Sequence, residues 1–235
     1  HGYQKIYVSG INVLGRVSIL QLDTKFLRIP GDIGCKKTFI EPPQHLIVEG
    51  ATANKVVTSR PENIDITPFL EAAQSATGDI LTTSCGFLAP FQKEFQENLD
   101  IPVVVSSINQ LADMSKIYSP EQVIILTIAA DKLCTKHLPR ALWKFSKCIC
   151  GLENSSYFHK VIFEDMVMFD EAKVADELLT VFKHACNENT LALLLECTNM
   201  PPYKPNLKQF KDIKIFDILS AIETLLPNTV DPAYL

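Results

Sequence analysis

Two cysteines in this sequence sit in matching surroundings, Cys85 in ILTTSCGFLAPF (80–91) and Cys197 in ALLLECTNMPPY (192–203). Each follows a run of β-forming residues and precedes a helical pattern. At a strand's end before a helix, backbone N–H groups and the helix dipole favour a thiolate, so both positions suit acid/base or nucleophilic chemistry. The two residue numbers differ by 112, and the same offset carries Asp100 onto Asp212 and Ile101 onto Ile213. Both copies then enter a further strand, Val103-Val104-Val105 in one and Ile215-Phe216 in the other. Open α/β sheets bind ligands beyond the carboxyl ends of their strands, so two such halves facing each other put the thiols on opposite walls of one cleft.

The elements that position these thiols alternate along the chain. Val17 to Leu22 (VSILQL) reads as the first parallel strand, closed by Asp23-Thr24. From Lys25 to about Pro61 the chain is irregular, punctuated by Pro30-Gly31, Gly34, Pro42-Pro43 and Gly50, with one short strand at His45 to Val48. Loops of that length usually serve a site, and this one is expected to cover the cleft. Thr67-Pro68 opens a helix through Ala76, the strand Asp79 to Thr83 leads to Cys85, and a helix at Ala89 to Asn98 comes next. A strand at Val103 to Ser106 and a helix around Ile108 to Ile117 complete the half.

Glu121 to Thr127 begins the second half as a buried strand, succeeded by a helix from Asp131 that Pro139 kinks and a short strand at Lys147 to Cys150. Asp170 to Asn187 places Val174, Leu178, Val181, Phe182 and Ala185 three and four apart, the pattern of a helix packed on one face. Leu191 to Leu195 is the strand before Cys197, and Asp217 to Leu226 is a last helix stopped by Pro227. This order predicts an α/β fold of two pseudo-symmetric, doubly wound parallel-sheet lobes with the active-site cleft between them.

The other cysteines, Cys35, Cys134, Cys148, Cys150 and Cys186, read as core filler. Cys134-x-x-His137 with Cys148-x-Cys150 fits no standard zinc spacing, and half of it lies in a strand, so no metal is expected. No G-x-G-x-x-G opens a nicotinamide or flavin site. The five histidines fall far in sequence from both cysteine motifs, which leaves a Cys-His hydrolase dependent on folding to bring them together.

A net charge of −5 provides no basic footprint for nucleic acid or an anionic membrane. Seven cysteines without dense spacing indicate reduced thiols and a cytoplasmic protein. No apolar run approaches a membrane span, and the N-terminus lacks a signal-peptide pattern.

Thr82-Thr83-Ser84-Cys85-Gly86-Phe87 and Glu196-Cys197-Thr198-Asn199-Met200-Pro201-Pro202-Tyr203, with Leu22-Asp23-Thr24 upstream, resemble the aspartate/glutamate racemase superfamily of two-cysteine, cofactor-independent racemases. The resemblance covers nearly the whole chain. It departs at Gly86-Phe87, where glutamate and aspartate racemases typically carry Asn-Thr, and at Asn199, where glutamate racemases usually carry histidine. It implies a racemase or epimerase of an amino acid or related compound, with Cys85 and Cys197 exchanging protons on opposite faces of the substrate α-carbon and no cofactor. Ser84, Gly86, Phe87, Thr198 and Asn199 are then expected around the substrate carboxylate, and Asp23 and Thr24 near its amino group or a cysteine.

The expected partner is a small-molecule substrate bearing a carboxylate, with no nucleic acid and no membrane, and a homodimer is left open. The family crosses back after the second cysteine, so residues 1–115 plus 206–235 are expected to form the first lobe and 116–205 the second. Within the same superfamily a cysteine-dependent isomerase or decarboxylase remains an alternative, as does a catalytically silent two-lobed binding protein.

Overall fold

The computed structural model describes residues 14–152 and 156–235, so the start of the expected first lobe lies outside it. Among the described residues eight strands form two four-stranded parallel sheets. The first has the order β2-β1-β3-β4, with β1 Val17–Leu22, β2 Gln44–Val48, β3 Ile80–Thr83 and β4 Val103–Val104. The second repeats it as β6-β5-β7-β8, with β5 Val123–Thr127, β6 Ile149–Gly151, β7 Ala192–Leu195 and β8 Lys214–Phe216.

The internal repeat is visible in the pairing register. Leu81 pairs with Val103 and Thr82 with Val104 in one lobe, and their partners 112 residues on, Leu193 with Ile215 and Leu194 with Phe216, pair identically in the other. The inner strands β1, β3, β5 and β7 are buried at every residue, as expected of parallel strands covered by helices on both faces.

The long helix Glu171–Ala185 fills its expected span; the Asp170 side chain accepts from the backbone N–H of Lys173, and Val174, Leu178 and Phe182 are buried one turn apart. The helices expected after Cys85 and near Ile108 are instead split. A 3-10 turn precedes a short α-helix in each case, Gly86–Phe91 before Gln92–Glu97 and Ser107–Gln110 before Leu111–Met114. Pro90 lies inside the first turn, where it removes a backbone donor. The segment from Asp131 likewise forms 3-10 turns, Thr135–His137 and Arg140–Cys148, on either side of Pro139.

The chain end corrects the expected lobe boundary. Lys214–Phe216 pairs with β7 and completes the second sheet, and the helix Lys204–Phe210 packs on Glu171–Ala185. The strand cannot do otherwise, because as the repeat mate of β4 it takes the edge that β4 takes in its own sheet. The helix Ile218–Leu225 and the tail after it return to the first lobe, where Ile218, Leu219, Ala221 and Ile222 pack with Val17, Ile19, Ile80 and Val104, and Val230 bridges to Phe39. A buried ion pair of 2.6 Å between Lys204 and Asp217, the N-cap of that helix, ties the crossing to the second lobe.

Candidate active site

The loops after β3 and β7 meet in a small cleft with about 390 Å³ of atom-free space including its mouth. Cys85 and Cys197 both line it, and each is 6% exposed. The Thr198 hydroxyl donates to the Ser84 carbonyl at 2.8 Å, stitching the two cysteine loops together, and Ser107 Oγ donates to the Leu195 carbonyl at 2.7 Å behind them. The irregular stretch after β1 supplies a wall through Thr24, Phe26, Arg28, Ala53 and Val57, so it does cover the site. Its start is held to the second lobe by Asp165, whose Oδ1 accepts from the backbone N–H groups of Lys25 and Phe26 at 2.6 and 2.9 Å.

The thiols do not behave as their place at strand ends suggests. Burial, then the Glu196 carboxylate, pushes Cys85 up to about 12, against a single opposing backbone N–H from Phe87. Cys197 is held well above the usual thiol range by the same two causes in the same order, opposed by the N–H of Asn199. The reason lies in the backbone just beyond each cysteine. The α-helices begin only at Gln92 and Lys204, after 3-10 turns of which Cys85 caps the first, so neither sulfur has the N-terminus of an α-helix to offset its burial.

Glu196 links the two loops. It is 1% exposed, its Oε2 accepts from the Thr127 hydroxyl at 2.6 Å, and its Oε1 has no hydrogen-bond partner. Burial raises its carboxyl to about 7, with the Thr127 bond pulling the other way. Gly86 makes room for it, since a Cβ there would collide with both Oε1 and the Glu196 carbonyl oxygen. The glycine that departs from the racemase pattern is thus the counterpart of an acidic residue packed against it.

A second cluster stands beside Cys197. Arg28 donates through NH1 to Asp32 Oδ1 at 3.2 Å and through NH2 to Thr24 Oγ1 at 2.7 Å, while its Nε, on a residue that lines the cleft, has no partner. Asp32 also accepts from the Gly34 N–H at 2.7 Å and, through Oδ2, from Asn199 Nδ2 at 2.7 Å. The Cys197 thiol donates to Asn199 Oδ1 at 3.5 Å.

The expected substrate residues separate accordingly. Ser84, Gly86, Phe87, Thr198, Asn199 and Thr24 line the cleft with the cysteines. The Thr198 hydroxyl and the Asn199 amide are committed to Ser84 and Asp32, and Ser84 Oγ accepts from the Leu22 N–H at 2.9 Å. Asp23 is not brought in: it is exposed and its Oδ2 accepts from the Gly50 N–H at 3.0 Å, closing the loop after β1. No histidine lines the cleft; His137 packs edge-on behind the Phe87 ring at 5.0 Å. Among the described residues no group of three or more His, Cys, Asp or Glu converges to hold a metal ion, and no helix is long and apolar enough to cross a membrane.

Sequence reasoning missed Arg28, Asp32 and Glu196. The first two sit in an irregular stretch with no periodicity to mark them. Glu196 did carry a signal: it is a charged residue ending an apolar strand, at the position matched by Ser84 in the repeat.

No family model matches the sequence. Curated relatives include dimethylsulfoniopropionate lyase 5 of Emiliania huxleyi, 24% identical over 93% of this chain and 46% of its own length. Another is a dimethylsulfoniopropionate lyase of Durusdinium sp. clade D, 24% identical over 92% of this chain and 75% of its own. The chain thus spans about half the length of the first and three quarters of the second.

Among solved structures, the allantoin racemase of Pseudomonas fluorescens superposes with a TM-score of 0.59 at 14% identity, covering 89% of this chain and 88% of its own. A glutamate racemase of Bacillus anthracis gives 0.52 at 15%, covering 92% and 84%. Unliganded arylmalonate decarboxylase gives 0.53 at 12%, covering 94% and 96%. Two repeated parallel sheets, a thiol at the end of each third strand and these superpositions together show that the chain has the fold of the aspartate/glutamate racemase superfamily.

Proposed function

We propose that the protein is a cofactor-independent lyase that removes an α-proton from a small carboxylate and expels a group from the β-carbon, with dimethylsulfoniopropionate as substrate. The observation that carries this reading is the charge layout of the cleft. It holds the Arg28 guanidinium in its wall, a cation to which a carboxylate is drawn, whereas Asp23, the group expected near an α-ammonium, lies outside. The carboxyl group inside, Glu196, is turned to Thr127 and Gly86. A carboxylate without an α-amino group matches that layout better than an amino acid does. The walls also carry an apolar set, Phe26, Phe87, Val57, Ile128 and Ile162, available to the methyl groups of a sulfonium. The names of the relatives that align over more than nine tenths of the chain support the same substrate.

A cysteine thiolate takes the α-proton, the C–H electron pair becomes the new C=C bond, and the C–S pair leaves with sulfur. The products are acrylate and dimethyl sulfide, and one proton is finally released to solvent. Arg28 stabilises the charge that develops on the carboxylate as the proton leaves. Two buried thiols that resist ionisation are suited to a substrate bearing a sulfonium, whose positive charge lowers the cost of forming a thiolate beside it.

The test is to incubate the chain with dimethylsulfoniopropionate in deuterated buffer, follow dimethyl sulfide in the headspace and acrylate by NMR, and repeat with Cys85→Ala and Cys197→Ala. Release by the native chain that falls at least roughly 100-fold in the Cys85 variant is expected. Absence of release by the native chain, with α-deuterium entering an amino acid or allantoin instead, would return the racemase reading.

A further inference from the structure

Asn199 stands between a carboxylate and a sulfur, and its amide can satisfy both in one orientation only. Asp32 is 3% exposed, is paired with Arg28 and accepts from the Gly34 N–H, so its remaining oxygen presents an acceptor to Asn199. The Nδ2 group must therefore face Asp32, as it does at 2.7 Å, and Oδ1 must face Cys197 Sγ, as it does at 3.5 Å. An amide oxygen accepts and cannot donate, so the sulfur opposite it is favoured as S–H and disfavoured as the thiolate. Cys85 has no counterpart of this arrangement, because the residue matching Asn199 in the repeat is Phe87, whose side chain offers no polar atom.

We propose that Asp32 is a positioning residue that acts through Asn199 to hold Cys197 as the protonated thiol, which leaves Cys85 as the thiol free to act as the proton acceptor. The assignment of roles rests on reading the two thiols as a proton-transfer pair, but the lock on Cys197 does not depend on the substrate. Asp32 touches no reacting atom; what it fixes is which end of the Asn199 amide the sulfur meets.

The experiment measures alkylation of each cysteine by iodoacetamide, which reacts with the thiolate, by peptide mass spectrometry across a pH series in the full chain. Both residues are equally buried, and the pH dependence of each rate, which access alone does not set, reports ionisation. In the native chain Cys197 is expected to react more slowly than Cys85. Asp32→Asn frees the Asn199 amide to turn Nδ2 onto the sulfur, exchanging an acceptor for a donor, and is expected to speed Cys197 by roughly 10-fold or more at fixed pH and to lower its pH midpoint. The swap Asp32→Asn with Asn199→Asp restores an acceptor facing the sulfur and an amide facing away from it, so slow alkylation is expected to return.

A native rate at Cys197 equal to or above that at Cys85 overturns the proposal, as does an Asp32→Asn chain with a native circular dichroism spectrum and unchanged Cys197 alkylation. Should that variant not fold, Asn199→Ala, which removes the acceptor alone, carries the test. A roughly 2- to 10-fold acceleration of Cys197 is expected, and no acceleration counts against the lock. Because the readout needs no substrate, failure of the lyase reading leaves it intact, and failure here leaves the lyase assay to be judged separately.

Discussion

Replacing Glu196 by Gln isolates what a buried carboxyl group does to this fold. Burial raises Glu196 from 4.5 to about 7. Below the lower value the folded and unfolded chains both carry the proton, and the group exerts no pH-dependent effect. As pH rises, the unfolded chain releases its proton while the folded chain keeps it, so stability is lost progressively until the folded group also ionises near pH 7. At 1.36 kcal/mol for each pH unit, the loss is roughly 3 kcal/mol. Glutamine retains an oxygen for the Thr127 hydroxyl and has no charge to titrate.

The Tm of Glu196→Gln minus that of the native chain should therefore climb between pH 4.5 and 8 by about 6–12 °C, taking ~2–4 °C per kcal/mol for a chain of this size. A constant offset, from an amide NH2 that finds no acceptor beside Gly86, shifts the whole curve but not its slope. Differential scanning calorimetry of both chains across this range is the assay. A Tm difference that stays flat with pH would refute the reasoning, because it would mean that Glu196 ionises as freely in the fold as in the open chain.

Three other substitutions test separate parts of the structure. Gly86→Ala drives a Cβ into the Glu196 carbonyl oxygen as well as into Oε1, so it should cost about 1–3 kcal/mol in urea melts, and adding Glu196→Ala should recover only part of that. If the proposed lyase reading holds, Arg28→Ala removes its carboxylate anchor and should lower kcat/KM for dimethylsulfoniopropionate by roughly 10- to 100-fold, measured as initial rates of acrylate formation. Lys204→Ala leaves Asp217 buried without its cation and should lower stability by roughly 3 kcal/mol or more, seen as a fall in the urea midpoint with an unchanged slope.

How much of this was legible in the sequence depended on whether a residue's neighbours were local. VSILQL reads as a covered strand because its apolar residues, Val17 and Ile19 on one face and Leu20 and Leu22 on the other, need both faces buried, and the structure buries all six residues. The repeat around Cys85 and Cys197 could be read because a duplicated strand, turn and helix keeps its spacing. Arg28 and Asp32 could not be read as site residues, since an i, i+4 charge pair normally signals a helix surface and here lies in an irregular stretch, brought to Cys197 only by the fold. Asp23 was drawn toward the site by its place at a strand's end, where the Gly50 N–H gives it a simpler occupation. The strength of burial at the cysteines was also hidden, because it depends on how closely the two lobes meet and not on the residues flanking each sulfur.

The 112-residue correspondence also bears on how far the two sides of the site are alike. The backbone of one half repeats that of the other down to individual strand pairs, yet the residues beside the sulfurs do not: Ser84 matches Glu196, Gly86 matches Thr198 and Phe87 matches Asn199. A catalyst that interconverts mirror images runs the same step forwards and backwards, and near-interchangeable halves serve it well. Here the scaffold has kept its two-fold symmetry while the side chains have lost it, with an acid, a hydroxyl and an amide on one side and a hydroxyl, a glycine and an aromatic ring on the other. A site polarised in this way presents different groups to the two faces of a bound molecule, so its two sulfurs are not equivalent even though the strands that carry them are.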